Sequence, residues 1–203
     1  KFANQAYFDA VKYTKGLAKL VQGNGSYIFE NSTVVRISGG DTCSISTLHG
    51  KVHAKYIVVA TKVPTFPLLA RLTYAAIEYP ETSYIVAGKV DHKMPGMYIS
   101  PDKNHYSLLP VTVGRDHYLL VGGKNHIPGL GRAAKRYEAL AHYAKKWFGI
   151  EKIDYKWKAR DYIAYDALPI VGRLYPWSQN IFAVGGFKKW GLSTSMVAAK
   201  TCM

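Results

Sequence analysis

A short apolar run, Ile181-Phe182-Ala183-Val184, passes directly into Gly185-Gly186-Phe187-Lys188-Lys189-Trp190-Gly191-Leu192-Ser193, and small and apolar residues then continue to Ala199 without a breaker. The run has the length and composition of a buried strand, the glycines mark a tight loop, and Leu192 to Ala199 reads as a helix. The stretch is thus a strand, a glycine loop and a helix start. The first N–H groups of a helix have no partner within it and lie at the positive end of its dipole. Such a junction suits a group that carries, or develops, negative charge. The same residues also describe ordinary turn chemistry, since glycine is the default wherever a chain bends sharply.

Upstream, Asp9 is placed to cap a helix in which Tyr13, Leu17, Leu20 and Val21 recur at helical spacing, with Gly23-Asn24-Gly25 as its stop. Tyr27-Ile28-Phe29-Glu30 reads as a buried strand. Thr33 to Ser38, Thr42 to Leu48 and Lys51 to Ala60 read as three further strands joined at Gly39-Gly40-Asp41 and His49-Gly50. The last ends in Tyr56-Ile57-Val58-Val59-Ala60-Thr61, a continuous apolar run of the kind buried on both faces of a dinucleotide-binding sheet. Beyond Pro64 and Pro67 the pattern changes. Ser83 to Val90, Met97 to Ser100, Tyr106 to Val113 and His117 to Gly122 read as antiparallel strands. They are backed by an amphipathic helix with Ala133, Tyr137, Leu140, Ala141, Ala144, Trp147 and Phe148 on one face. Arg136, Glu138, Lys145 and Lys146 face water, and Gly149 closes it. A strand from Ile153 to Arg160 leads back to the segment holding Asp166 to Gly172 and the terminal strand, loop and helix. The fold class is α/β with an α+β mixture, and the expected domain ranges are 1–73, 74–160 and 161–203.

Charge points elsewhere. The 203 residues carry 27 Lys plus Arg against 13 Asp plus Glu, a net +14, which by itself suits nucleic acid or an anionic surface. The basic residues are scattered, however, and no recognition helix, zinc finger or RNP-type pattern accompanies them, so nucleic acid is not expected as a partner. Cys43 and Cys202 follow no metal spacing and no disulfide framework, and His49 and His53 flank a glycine turn where helical ligand geometry does not apply. No metal site is expected. No apolar run approaches the ~20 residues that span a bilayer, and no signal-peptide layout opens the chain, so it reads as soluble and cytoplasmic. No nucleophile-elbow motif supports a hydrolase.

Taken with Asp166-Ala167-Leu168-Pro169-Ile170-Val171-Gly172, the terminal loop resembles the carboxy-terminal flavin segment of the D-amino-acid-oxidase-like (DAO) superfamily of FAD-dependent oxidoreductases. The Phe187, Lys189, Trp190, Gly191 form is most similar to a bacterial subgroup whose members often carry a Rieske domain behind the oxidase body. That resemblance implies part of an FAD-binding Rossmann-like domain plus an antiparallel substrate-binding domain, acting on a C–N bond of an amino acid or related amine. It implies that Gly185, Gly186, Phe187, Trp190, Gly191, Leu192 and Ser193 border the flavin, with Phe187 and Trp190 lying along the ring or filling core. It places Val34, Ala60 and Thr61 near the adenosine end of FAD, where Val34 and Ala60 read equally as plain core. Lys189 stands where relatives acting on glycine-like substrates have a carboxylate-gripping Arg, or it is simply an exposed loop lysine. Tyr98, in Tyr98-Ile99-Ser100-Pro101, matches a strand on the substrate side, with Asp102 where many relatives have Arg.

The GxGxxG element expected to hold the FAD pyrophosphate is absent, since Gly122-Gly123 and Gly129-x-Gly131 lack its spacing and context. The chain is therefore expected to be a fragment that lacks an amino-terminal FAD-binding segment. A 2Fe-2S cluster would belong to a further carboxy-terminal domain, because the Rieske Cys/His pattern is absent here. The alternative class is a basic, non-enzymatic binding module on an inherited flavoprotein fold.

Overall fold

The computed structural model describes residues 4, 6–64, 67–101 and 105–202. It divides into two compact units. One comprises Lys1–Arg71, Val171–Val184 and Trp190–Met203, and the other Leu72–Ile170 with Gly185–Lys189. The segment 161–203, expected to be one piece, is thus shared between them.

In the first unit, α1 (Ala10–Val21) begins where Asp9 accepts hydrogen bonds from the N–H groups of Val11 and Lys12, both at 3.0 Å. Those donors, that of Lys12 foremost, hold the Asp9 carboxyl below the usual carboxylate range. The expected apolar stripe is present but not covered: Leu17, Leu20 and Val21 are exposed. Tyr27 to Glu30 forms no strand. Tyr27 and Phe29 are exposed and stack on one another at 5.9 Å. Three antiparallel strands follow, β1 (Val34–Ser38), β2 (Cys43–Thr47) and β3 (Lys51–Ala54).

The single strand expected from Lys51 to Ala60 is two. β3 pairs with β2, while β4 (Ile57–Val59) belongs to another sheet and pairs in parallel with β11 (Ile181–Gly185). The break between them falls at Lys55-Tyr56. Nor is this run buried on both faces. Ile57 and Val59 are buried, whereas Tyr56 and Val58 are exposed. The third strand of this sheet is β10 (Ile170–Arg173), and α4 (Gly191–Thr201) follows β11.

An unforeseen helix, α2 (Leu68–Ile77), crosses from the first unit's residues to the second's. Its buried Ala70 and Tyr74 are four apart, one above the other on the same face. It enters β5 (Glu78–Lys89) with no loop between. The second unit is an antiparallel sheet in the order β6-β7-β8-β5-β9, with β6 (Tyr98–Ile99), β7 (Ser107–Val113), β8 (Asp116–His126) and β9 (Tyr155–Ala164).

On one face of that sheet Tyr84, Val86, Leu119 and Val121 pack against Leu140 and Ala144 of α3 (Ala133–Phe148), with Ile150 completing the cluster. Gly149 ends α3 in the left-handed region at φ 66, where its N–H reaches Lys145 O and that of Ile150 reaches Ala144 O. Two side chains depart from the amphipathic expectation. Trp147 is 63% exposed, and Arg136 is turned inward, donating to the carbonyls of Lys124 and Leu130 at 3.1 and 3.4 Å.

Leu140 is fully buried at the centre of this cluster. Leu140→Ala is expected to cost about 2–5 kcal/mol through lost burial and a residual cavity. Urea unfolding checks this, with a lower midpoint at an unchanged slope.

Candidate functional site

Parallel pairing aligns Ile57 with Ile181, Phe182 with Val58 and Ala183 with Val59. Both strands therefore finish at one edge, and the carboxyl ends of parallel strands are where open α/β sheets bind ligands. Ala60 and Thr61 follow β4 there, and the Thr61 hydroxyl turns back to Val63 O at 3.3 Å. Val34 lies in the other sheet, opposite Thr47 at a register irregularity of β1. The far end of β1 is tied to the start of β11, because Asn180 donates to Gly40 O at 3.1 Å and accepts from Ile57 N at 2.9 Å.

Helix α4 opens without a side-chain cap, with Trp190 at the cap position. Ser193 turns both its N–H (3.2 Å) and its hydroxyl (3.0 Å) onto Trp190 O, and Thr194 N–H joins them at 2.9 Å. The donors this leaves at the helix start are the N–H groups of Gly191 and Leu192. Gly191 adopts an ordinary helical conformation as the first residue of α4, so no special backbone geometry requires glycine there. Trp190 is exposed and does not fill core.

The loop residues 185–189 pack within the second unit. Gly186 has φ +65, and a Cβ there would meet the Ile170 side chain at 3.3 Å and Ala164 Cβ at 3.4 Å. Both the conformation and the space demand glycine. Phe187 bridges to Ile163 of β9, and Lys188 N–H donates to Tyr162 O at 3.3 Å. Lys188 and Lys189 are both left-handed, at φ 46 and 70, a conformation that costs a non-glycine residue about 1–2 kcal/mol. Lys189 Nζ lies 2.6 Å from Glu81 Oε2, and the same oxygen accepts from Asn125 Nδ2 at 3.1 Å. Glu81 faces Asp161 across the β5/β9 pair.

Tyr98 is directed elsewhere. Its cross-strand partner is Leu108, which in turn pairs with buried Val121, so Tyr98 shares the sheet face covered by α3. Glu81 alternates with buried Thr82 and so lies on the opposite face. Asp102 lies outside the described residues.

One titratable group escaped the sequence reading. Glu78 opens β5 opposite Ala164, is 2% exposed, and has no hydrogen-bond partner for either carboxylate oxygen among the described residues. Burial pushes its carboxyl up to about 7. Burial, and then the charge of Glu78, push Tyr74 up to about 12. A glutamate standing between Ile77 and Tyr79, at the join of an apolar helix and a strand, was the available signal. Among the described residues no group of three or more His, Cys, Asp or Glu is gathered as a metal site, and no helix is long and apolar enough to cross a membrane.

A helix start fed from the carboxyl end of a parallel strand, in a chain that also forms an antiparallel sheet backed by a helix, is the plan of FAD-binding amino acid oxidase folds. The chain belongs to the FAD dependent oxidoreductase (DAO) family, whose model it matches over residues 2–202. Among curated proteins it is 32% identical over 199 residues to YhfW of Bacillus subtilis (strain 168), whose given name includes the words Rieske 2Fe-2S iron-sulfur protein. That match covers 97% of this chain and 39% of the relative.

Glycine oxidase from Geobacillus kaustophilus superposes with a TM-score of 0.69 at 21% identity, covering 86% of this chain and 47% of the oxidase. NikD, an unusual amino acid oxidase essential for nikkomycin biosynthesis, gives 0.71 at 15% identity, covering 91% and 54%. These likenesses show the fold. The chain thus spans about two-fifths of the curated relative and about half of each solved oxidase.

Two measurements test this geometry. Gly186→Ala is expected to destabilise the protein by about 1–3 kcal/mol, since strain and crowding act together, whereas Lys188→Gly gains up to about 1 kcal/mol. Paired thermal unfolding curves check the opposite signs. Glu78 has a folded pKa raised from 4.5 to about 7, so its contribution to stability is fully present below 4.5 and is lost as pH rises through 7. Glu78→Gln removes that loss. The variant's stability relative to wild type is expected to rise by about 3 kcal/mol between pH 4 and pH 8.5, as read by denaturant titrations across that range.

Proposed function

We propose that the protein oxidises the C–N bond of an amine or amino acid, with FAD as the hydride acceptor. The observation that carries this reading is the start of α4, where among the described residues no side chain caps the helix and the N–H groups of Gly191 and Leu192 lead it, a few residues after the left-handed Gly186. Fixed donors of this kind stabilise negative charge without having to reorganise. The donor set fits the electron-rich edge of a flavin. FAD, when bound, supplies the two-electron acceptor at which the substrate's hydride arrives.

The chain's own residues have separable tasks. Gly191 and Leu192 would hold negative charge with their N–H groups, the absence of a side chain at Gly191 would permit close approach, and Gly185 and Gly186 would set the path of the loop beside it. Phe187 and Trp190 flank the loop with aromatic surface, and Ser193 closes the first turn of α4. Val34, Ala60 and Thr61 would contact the adenosine end. Lys189, the loop cation nearest the start of α4, would face the substrate with its ammonium already paired to Glu81. Holding the reacting carbon in place is the larger part of what such a site has to do.

Full-length protein is expected to purify yellow, and its flavin absorbance to bleach without oxygen when the right amine or amino acid is added. A screen of both substrate classes, followed near 450 nm (about the usual flavin maximum), tests this. A colourless full-length protein that fails to take up FAD overturns it.

A second reading has one observation in its favour. On the α3 side of the second unit, a cleft of about 630 Å³ is lined by Lys124, Lys135, His142 and Lys146 together with Tyr106, Tyr143 and Trp147. Cations beside aromatic rings suit an anionic partner, although Glu138 also lines the cleft. Colourless protein retained on immobilised single-stranded nucleic acid in a salt-sensitive way would favour that reading.

A further inference from the structure

We infer that Glu81 sets the substrate class of this site, by occupying Lys189 so that amines lacking a carboxylate are preferred over amino acids. The inference rests on the flavoprotein reading above and deepens it. Relative to a free loop lysine, the structure differs in three respects.

Lys189 Nζ is 2.6 Å from Glu81 Oε2, with the two side chains 35% and 23% exposed, so the pair is substantially withdrawn from water. Neither partner can easily withdraw. Glu81 sits within β5 and is anchored by Asn125 Nδ2 at 3.1 Å. The Lys189 backbone follows two fixed points on β9, the Phe187 bridge to Ile163 and the bond from Lys188 N–H to Tyr162 O. Finally, Asp161 is the cross-strand partner of Glu81, and such partners hold their side chains close together on one face.

A substrate carboxylate arriving at Lys189 would be the second on an ammonium already paired with Glu81, with Asp161 across the strand pair from that glutamate. Lysine is a compact point charge, and its one positive charge is already offset by Glu81, so a second carboxylate gains little from it. Like charges at such separations repel strongly where water is partly excluded. An amine without a carboxylate does not meet that repulsion. Glu81 thus discriminates by opposing the unwanted ligand.

The test uses full-length protein as wild type, Glu81→Gln, Lys189→Met and the double variant, each first shown to unfold at a similar temperature. The substrates are matched pairs that differ only in the carboxylate: methylamine and glycine, and phenethylamine and both enantiomers of phenylalanine. Acetate binding, followed by calorimetry, supplies a readout that needs no turnover.

Wild type is expected to favour the amine of each pair in kcat/KM. Glu81→Gln should raise the amino acid's kcat/KM by about ten- to a hundredfold, chiefly through KM, and tighten acetate binding by a similar factor. Both gains should vanish in the double variant, since Lys189 is then no longer there to be released. Wild type that favours the amino acids, or Glu81→Gln that weakens acetate, would show that Glu81 aims Lys189 at a carboxylate, and the inference falls. Unchanged acetate binding in Glu81→Gln also overturns it, whatever the enzyme turns over. Absence of bound flavin instead overturns the underlying reading.

Discussion

Three residue pairs of parallel ladder, Ile57 to Val59 against Ile181 to Ala183, are the constraint on which the candidate site depends. Parallel pairing sends both chains out at the same edge, so Ala60-Thr61 and the exit from β11 share it. Helix α4 then begins within a few residues of that edge. The Lys51 to Ala60 run breaks at Lys55-Tyr56, and its second half supplies this ladder. Asn180 secures the arrangement from below, accepting from Ile57 N–H while its side chain holds Gly40 O.

The loop that leaves β11 is held in an unfavourable backbone conformation by contacts with β9. Two successive left-handed lysines persist only where the surroundings dictate them. Here the surroundings are the Gly186 turn against Ile170 and Ala164, the Phe187 bridge and the Lys188 bond to Tyr162. Strain of this kind is common where a side chain must be aimed. At Lys189 the aim is toward Glu81, and that contact converts a nominally free cation into half of a pair.

Ion pairs elsewhere in the chain differ in kind. Lys89 with Asp116 and Lys145 with Glu151 are solvent-exposed, and such pairs contribute little. The Lys189 and Glu81 pair is more withdrawn and shares a hydrogen bond with Asn125, so loss of either partner leaves a poorly solvated charge. Glu78 goes further: buried and without a hydrogen-bond partner among the described residues, it relieves its cost by keeping its proton near neutrality. Most of the net +14 is not engaged at the loop; part of it lines the aromatic cleft on α3.

Local sequence determined the elements whose signals are local. Asp9 caps α1, Gly149 ends α3, the hairpin strands follow their alternating residues, and the Gly185 to Ser193 stretch joins a strand to a helix. Family resemblance, carried by the same loop, was legible for the same reason. Partnership was not legible, because it depends on residues distant in sequence. Nothing in Lys51 to Ala60 says that its halves join different sheets, and nothing in Tyr98 says which face of β6 it occupies, since a shift of one residue reverses every side chain of a strand. Lys189 illustrates the limit most clearly. Its place in the loop could be read from its neighbours, but its charge is answered by Glu81, 108 positions away, and only the folding of β5 beside β9 brings that carboxylate within reach.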